Sequence, residues 1–350
     1  MKCLLTGILL LAGCSTFAQD STKKGNWTIT GSVDAYYRYN FNNAKDSGYL
    51  NNYTSFTNSH NSFELGMASV KVDHAMGKVS ATLDLGFGKR AEEFSYNDEG
   101  VRTVIKQAYL TYSPSNKVKF TMGKWATHVG YELVDAYLNR NYSMAYMFSY
   151  GPFFHTGVKA DFTFNTVGFM LGIANPTDML SASFSKKFFL GQFSIIPANG
   201  KVKGFLNYVG GKYDNDVSVN QFDLVVTGIV SEQFNIGYNG SIQLVKPAGG
   251  ESNAWWGSAL YLNYDPDPVF GLTLRGEYFD DTKGVSGLTP ASGAATSVLG
   301  VTLSGNIRID NLTIIPEFRL DNSKEAIFFK TPNEPIKSTG TFILAATYHF

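Results

Sequence analysis

The sequence predicts an all-β chain: a transmembrane antiparallel up-and-down β-barrel of about sixteen strands, within a range of roughly fourteen to eighteen. Three observations lead there. The first is strict alternation in residues 27–41. The odd positions Trp27, Ile29, Gly31, Val33, Ala35, Tyr37, Tyr39 and Phe41 oppose even positions that include Thr28, Thr30, Ser32, Asp34, Arg38 and Asn40. A period of two held that long puts one face in an apolar medium and the other in water, beyond the length of most soluble strands. The second is that short turns and long polar connections take turns along the chain. The third is composition: of 350 residues 44% are hydrophobic and 15% aromatic but only 17% charged, with 35 glycines and a mean hydropathy near zero. That mix suits strands better than membrane helices.

Read in order, residues 1–18 come first, with Lys2 as a positive start, an apolar stretch at 4–12 and a small-residue site at Thr16, Phe17 and Ala18. This is the pattern of an export signal, removed after Ala18. Its apolar stretch is about half of what a spanning helix needs. Leu11, Ala12, Gly13 and Cys14 also resemble a lipidation motif, and cleavage after Ala18 is preferred because a chain that spans with its own strands has little use for an acyl anchor. Both cysteines lie in the first fourteen residues, so the exported chain has no disulfide, thiolate or cysteine-bound metal.

The alternation recurs downstream. Val79, Ala81, Leu83, Leu85 and Phe87 oppose Ser80, Thr82 and Asp84; Phe154, Val158, Ala160 and Phe162 oppose His155, Lys159 and Asp161. Leu272, Leu274 and Tyr278 oppose Thr273, Arg275 and Glu277, while Leu312, Ile314, Phe318 and Leu320 oppose Thr313, Glu317, Arg319 and Asp321. In residues 62–74 the apolar phase slips by one near Ala68, which predicts a bulge there. Pro316 is a blemish in a central strand, because it cannot donate to the ladder. Short turns are predicted at 75–78, 114–116, 165–166, 197–200, 231–233, 265–268 and 310–311, and long loops at 42–61, 88–102, 123–151, 280–295 and 322–338. Trp27, Tyr39, Tyr112, Trp255, Trp256 and Tyr264, near strand ends, are expected in interfacial girdles.

The last strand places Phe342, Leu344, Ala346, Tyr348 and Phe350 on one face. A final aromatic behind alternating apolar positions resembles the signal read by the outer-membrane barrel assembly machinery. The stretches SVDAYYRYNFN, NSFELGMASV, HTGVKADFTFN, GFMLGIANPTD, LRGEYFDD and PEFRLDNS resemble those of the β-barrel porins termed OmpL-like, over residues 27–350. The resemblance implies a multi-pass porin-like channel in the outer membrane of a gram-negative cell, without naming a solute or any catalytic residue.

The lumen face then carries Arg38, Lys159, Asp161, Arg275, Glu277, Glu317, Arg319 and Asp321 as pore-lining candidates, with both signs about equally present. The loop 123–151, with Glu132, Asp135 and Arg140 among tyrosines and methionines, is expected to fold inward as a constriction, where opposed charges orient polar solutes. Most other loops are polar and glycine-rich, which argues for an open pore rather than a plugged barrel serving as adhesin, receptor or structural protein. Expected partners are outer-membrane lipid and lipopolysaccharide, the assembly machinery and small hydrophilic solutes, with a homotrimer by analogy with porins. With 29 basic against 29 acidic residues the chain offers no field for nucleic acid. No cofactor, metal site or enzyme activity is expected: G-x-S-x-G, H-E-x-x-H, Walker and dinucleotide motifs are missing, and Asp280 with Asp281 is too sparse for a cation site.

Overall fold

The structure is a computed structural model that describes residues 25–42, 50–288 and 295–350. The export segment 1–18 and Cys14 lie outside the described residues, as does part of the 42–61 and 280–295 loops. Within them the chain forms β1 (Asn26–Asn40), β2 (Ser62–Met76), β3 (Val79–Phe87), β4 (Ile105–Ser115), β5 (Val118–Ala126), β6 (Phe154–Phe164), β7 (Val167–Ala174) and β8 (Phe188–Ile195). There follow β9 (Val202–Lys212), β10 (Ser218–Ile229), β11 (Phe234–Lys246), β12 (Asn253–Tyr264), β13 (Phe270–Asp280), β14 (Ser297–Ile309) and β15 (Leu312–Ser323). A small hairpin of β16 (Phe328–Thr331) and β17 (Glu334–Ile336) precedes β18 (Ser338–His349).

All but the hairpin join one closed antiparallel barrel of sixteen strands, each beside its neighbour in sequence, with β1 meeting β18 at the seam. Closure follows from the medium: in hydrocarbon every backbone N–H and C=O must pair inside the protein, and a closed sheet has no edge to leave unpaired. The outward row is apolar, as Ile29, Phe63, Leu110, Met122, Leu171 and Leu320 show, and the inward row is polar. Each outward apolar side chain gains roughly 1.5–3 kcal/mol by leaving water.

At the end where β1 starts and β18 finishes the turns are tight. Gly77 and Asn165 sit there with φ of 62° and 51°, left-handed values that glycine and asparagine adopt most readily. The long connections gather at the opposite, extracellular end. The slip in β2 falls at Gly66, two residues before the expected place, because Asp34 pairs with Met67 and Ala35 with Leu65. A Cβ at Gly66 would collide with the Asp34 carboxylate, so the bulge settles where a side chain is lacking. Opposite Pro316 the β14 ladder skips from Ser304–Glu317 to Ile307–Ile314, the local gap that a missing donor dictates. β5 continues to Ala126, so the connection expected at 123–151 spans 127–153 instead.

Trp255 is a correction. It is fully buried inside the barrel, whereas its neighbour Trp256 faces outward with Trp27, Tyr112 and Tyr264. Adjacent strand residues point to opposite faces, so the two tryptophans cannot share a girdle.

Candidate functional site

The inside of the barrel is occupied by residues 127–153, which leave β5 at the extracellular rim, reach the opposite end and return to β6. The contacts set that course. Near its start the segment docks on the β9–β11 wall: the Gly130 N–H donates to Asp223 at 3.0 Å, the Tyr131 N–H to Asn239 at 3.3 Å, and His128 Nε2 lies 3.1 Å from the Tyr208 carbonyl. At its far point the Arg140 guanidinium grips Asp265, in the tight turn between β12 and β13, through two bonds of 3.0 and 2.8 Å. Arg308 joins the same carboxylate at 2.7 Å, and Tyr137 stacks on His349 with ring centroids 4.8 Å apart.

The return threads between charges on β13 and β15. Glu317 accepts the backbone N–H of Tyr142 and Ser143 at 2.7 and 3.0 Å and the Ser304 hydroxyl at 2.7 Å. Arg275 donates to Glu132 and to the Ser143 carbonyl, each at 2.6 Å, and lies 3.3 Å from Glu277. Glu277 accepts the Tyr146 N–H at 2.7 Å and pairs with Arg319 at 3.1 Å. Arg319 holds Asp321 bidentately and donates to the Met144 carbonyl at 2.7 Å. Glu132 also accepts the Ala145 N–H at 2.7 Å. Buried charges persist only when paired and hydrogen-bonded, and here the loop backbone completes the set.

The other candidates fall into two groups. Arg38 is buried against the first loop, donating to the carbonyls of Leu50, Asn51 and Ser59. Asp135 pairs with Lys106 at 2.5 Å, and Lys106 with Asp84 at 3.2 Å. Lys159 and Asp161 differ, for their side chains keep 18% and 25% exposure, with Lys119 beside them at 51%. They mark a stretch of inner wall that water still reaches. Above the charges an apolar core forms in the mouth, where Phe56, Phe94, Val134, Met144, Phe148, Phe153 and Phe154 pack together. Arg90 sits between the Phe56 and Tyr142 rings at 5.0 and 4.9 Å and beside Asp34.

Asp34, Asp84, Arg90, Lys106 and Asp223 add to the buried charges of the interior beyond those expected from sequence. Parity alone marks Asp34 and Asp84 as inward, but nothing local in the sequence announces Arg90 or the loop backbone that the wall receives. The assembly face expected from Phe342, Leu344, Ala346, Tyr348 and Phe350 lies on the outer surface of β18 and just beyond it, with Phe342 tilted against Phe318 at 4.9 Å. Asp281 spends its carboxylate on the N–H groups of Val285 and Ser286 and on the Ser286 hydroxyl. Among the described residues no three histidine, cysteine, aspartate or glutamate side chains gather as a metal site.

A closed sixteen-stranded barrel, apolar outside and polar inside, with a long loop folded into its lumen, defines the porin class of outer-membrane proteins. The chain belongs to the family described as "putative beta-barrel porin-2, OmpL-like", whose model matches residues 26–350. It is thus a bacterial outer-membrane β-barrel. No curated protein matches the sequence. Solved structures share the fold at low identity. An anion-selective porin from Comamonas acidovorans has a TM-score of 0.61 at 11% identity, over 93% of this chain and 100% of that one. The outer membrane channel DcaP of Acinetobacter baumannii has 0.61 at 13%, over 95% and 99%. A loop L8 deletion mutant of OmpT from Vibrio cholerae has 0.63 at 12%, over 93% and 99%.

Proposed function

We propose that the protein is a passive diffusion channel for small hydrophilic solutes and ions, with no enzyme activity, in which residues 127–153 form the constriction. The observation that carries this reading is the part of the inner wall at Lys119, Lys159 and Asp161, where charges of both signs remain open to water, as Lys71 and Asp73 do on β2, while Arg275, Glu277, Glu317 and Arg319 are buried against the inner loop. Mixed charge there favours weak ion selectivity. Removal of residues 1–18 on export, contact with outer-membrane lipid and lipopolysaccharide, and insertion by the barrel assembly machinery belong to the same proposal. So does a homotrimer, by analogy with OmpT of Vibrio cholerae, solved in a trimer form.

A second reading, a barrel that conducts nothing and serves as adhesin, receptor or structural protein, is favoured by the burial of Arg38, Arg275, Glu277, Glu317, Arg319 and Asp321. Single-channel recording of the folded protein in a planar bilayer, with the reversal potential in a salt gradient, separates the two. Small discrete steps of weak selectivity are expected. A silent wild-type barrel that conducts only after residues 131–147 are replaced by a short Gly-Ser linker would establish the plugged reading, and silence of both would reject a channel.

A further inference from the structure

We propose that the extracellular mouth holds a recognition pocket for a small neutral polyhydroxy solute, a polyol or monosaccharide, formed where the buried amide of Gln221 and the half-buried amide of Gln243 lie beneath a rim of tyrosines. The inference rests on the channel reading for the idea that a solute is taken up, and it adds which class is taken. A cavity of about 140 Å³ opens beside the return of the inner loop to β6 and is floored by Gln221 of β10 and Gln243 of β11. Tyr96, Tyr150 and Tyr213 line its sides, and Tyr96 is 57% exposed at the outer rim. An apolar cavity of comparable size holds a six-carbon ring, so the space suits a ligand of that order.

The chemistry of the floor selects the ligand. Gln243 donates one N–H to Gln221 at 3.0 Å and accepts from the Trp255 indole at 3.1 Å. Gln221 donates one N–H to Ser241 at 3.0 Å. Each amide has two N–H donors and two acceptor lone pairs, so each keeps one of both unspent. The Tyr150 hydroxyl bonds to no protein atom among the described residues, adding a further donor and acceptor. The Asp178 carboxylate at the edge is already engaged, by the N–H groups of Phe153 and Phe154 at 2.7 and 2.9 Å and by the Tyr96 hydroxyl at 3.2 Å. Among the described residues no lysine or arginine lines the cavity. Anions therefore find no cation to pair with, and cations find a carboxylate that already accepts three hydrogen bonds. A polyol instead supplies alternating O–H donors and oxygen acceptors, and its C–H face lies against tyrosine rings.

Isothermal titration calorimetry of the full folded chain in detergent micelles tests this, with xylitol and xylose as probes and glutamate and lysine as charged controls. Saturable binding of xylitol or xylose is expected, weakened about five- to tenfold in Tyr150→Phe, which deletes one hydroxyl hydrogen bond without removing any bond internal to the protein. Absence of saturable polyol binding, equal binding of the charged controls, or unchanged binding in Tyr150→Phe would each overturn the pocket. A barrel that binds polyol yet passes no current would leave the pocket standing and reject the channel; a conducting barrel that binds neither probe would reject the pocket alone.

Discussion

Asp178 lies in the connection after β7 with a left-handed φ of 61°, a conformation its short polar side chain tolerates. Burial pushes its carboxyl up from 3.8 to about 6, against the opposing pull of the two backbone N–H groups, the Tyr96 hydroxyl and Lys124. Because the folded state holds the proton more tightly than the unfolded chain, this residue stabilises the mouth fully below about pH 4, and that contribution is lost as pH rises through 6. The difference is worth about 3 kcal/mol, at 1.36 kcal/mol for each tenfold. Asp178→Asn keeps an oxygen for the N–H groups of Phe153 and Phe154 and removes the charge. The variant is therefore expected to unfold a few degrees above the wild type at pH 8 and at the same temperature at pH 4, read by tryptophan fluorescence on heating. A variant less stable at pH 8 would show that the ionised form is the one the mouth requires. Asp178 closes the stretch GFMLGIANPTD, yet nothing in that stretch marks its burial, since its environment is assembled from three connections distant in the chain. The inward turn of Trp255, by contrast, is legible: parity with the buried Ala259 and Tyr261 outweighs its proximity to a strand end.

At the scale of elements, strands were readable because water and hydrocarbon impose opposite demands on alternate side chains, and turn lengths because one end of the barrel is tight. The docking of residues 127–153 was not, because the wall charges grip backbone groups, which every residue carries alike. Glu317 and Arg319 look in sequence like solvated lumen charges, yet they hold the Tyr142 and Ser143 N–H groups and the Met144 carbonyl. This changes what charge reversal should do. Glu132→Lys with Asp135→Lys would set new ammonium groups against Arg275 and Lys106, where breaking a buried pair alone costs about 3–5 kcal/mol. Unseating of the loop is expected, with conductance several-fold above wild type together with a shift towards anions. A change of selectivity at constant conductance would mean that these carboxylates face a free lumen. Lys159→Gln, on the exposed stretch, should instead leave conductance nearly unchanged and move the reversal potential towards cations; no movement would place the ion path elsewhere.

The whole molecule depends on one seam, where β1 meets β18 across the full length of the chain. There the Gly31 and Phe350 backbones exchange two hydrogen bonds of 3.0 Å, and the Phe350 ring covers Gly31 so closely that a Cβ would lie 2.5 Å from its Cζ. Glycine weakens a strand in isolation, so its presence amid the alternation of residues 27–41 has a packing cause that the pattern itself does not disclose. Gly276 offers the matching control, since it lies in β13 with nothing within 4 Å of its Cβ position. Gly31→Val should force the Phe350 ring off the seam and lower the yield of folded barrel severalfold, whereas Gly276→Val should fold like the wild type, as judged by the heat-modifiable band on electrophoresis without boiling. Deletion of Phe350 should resemble Gly31→Val if seam closure is the role of this residue. If Gly31→Val folds normally while the deletion does not, Phe350 acts as a signal read by the assembly machinery rather than as a packing element of the closed barrel. The three chains together thus separate recognition from closure, which the position of Phe350 on the outer face beside β1 otherwise combines in one side chain.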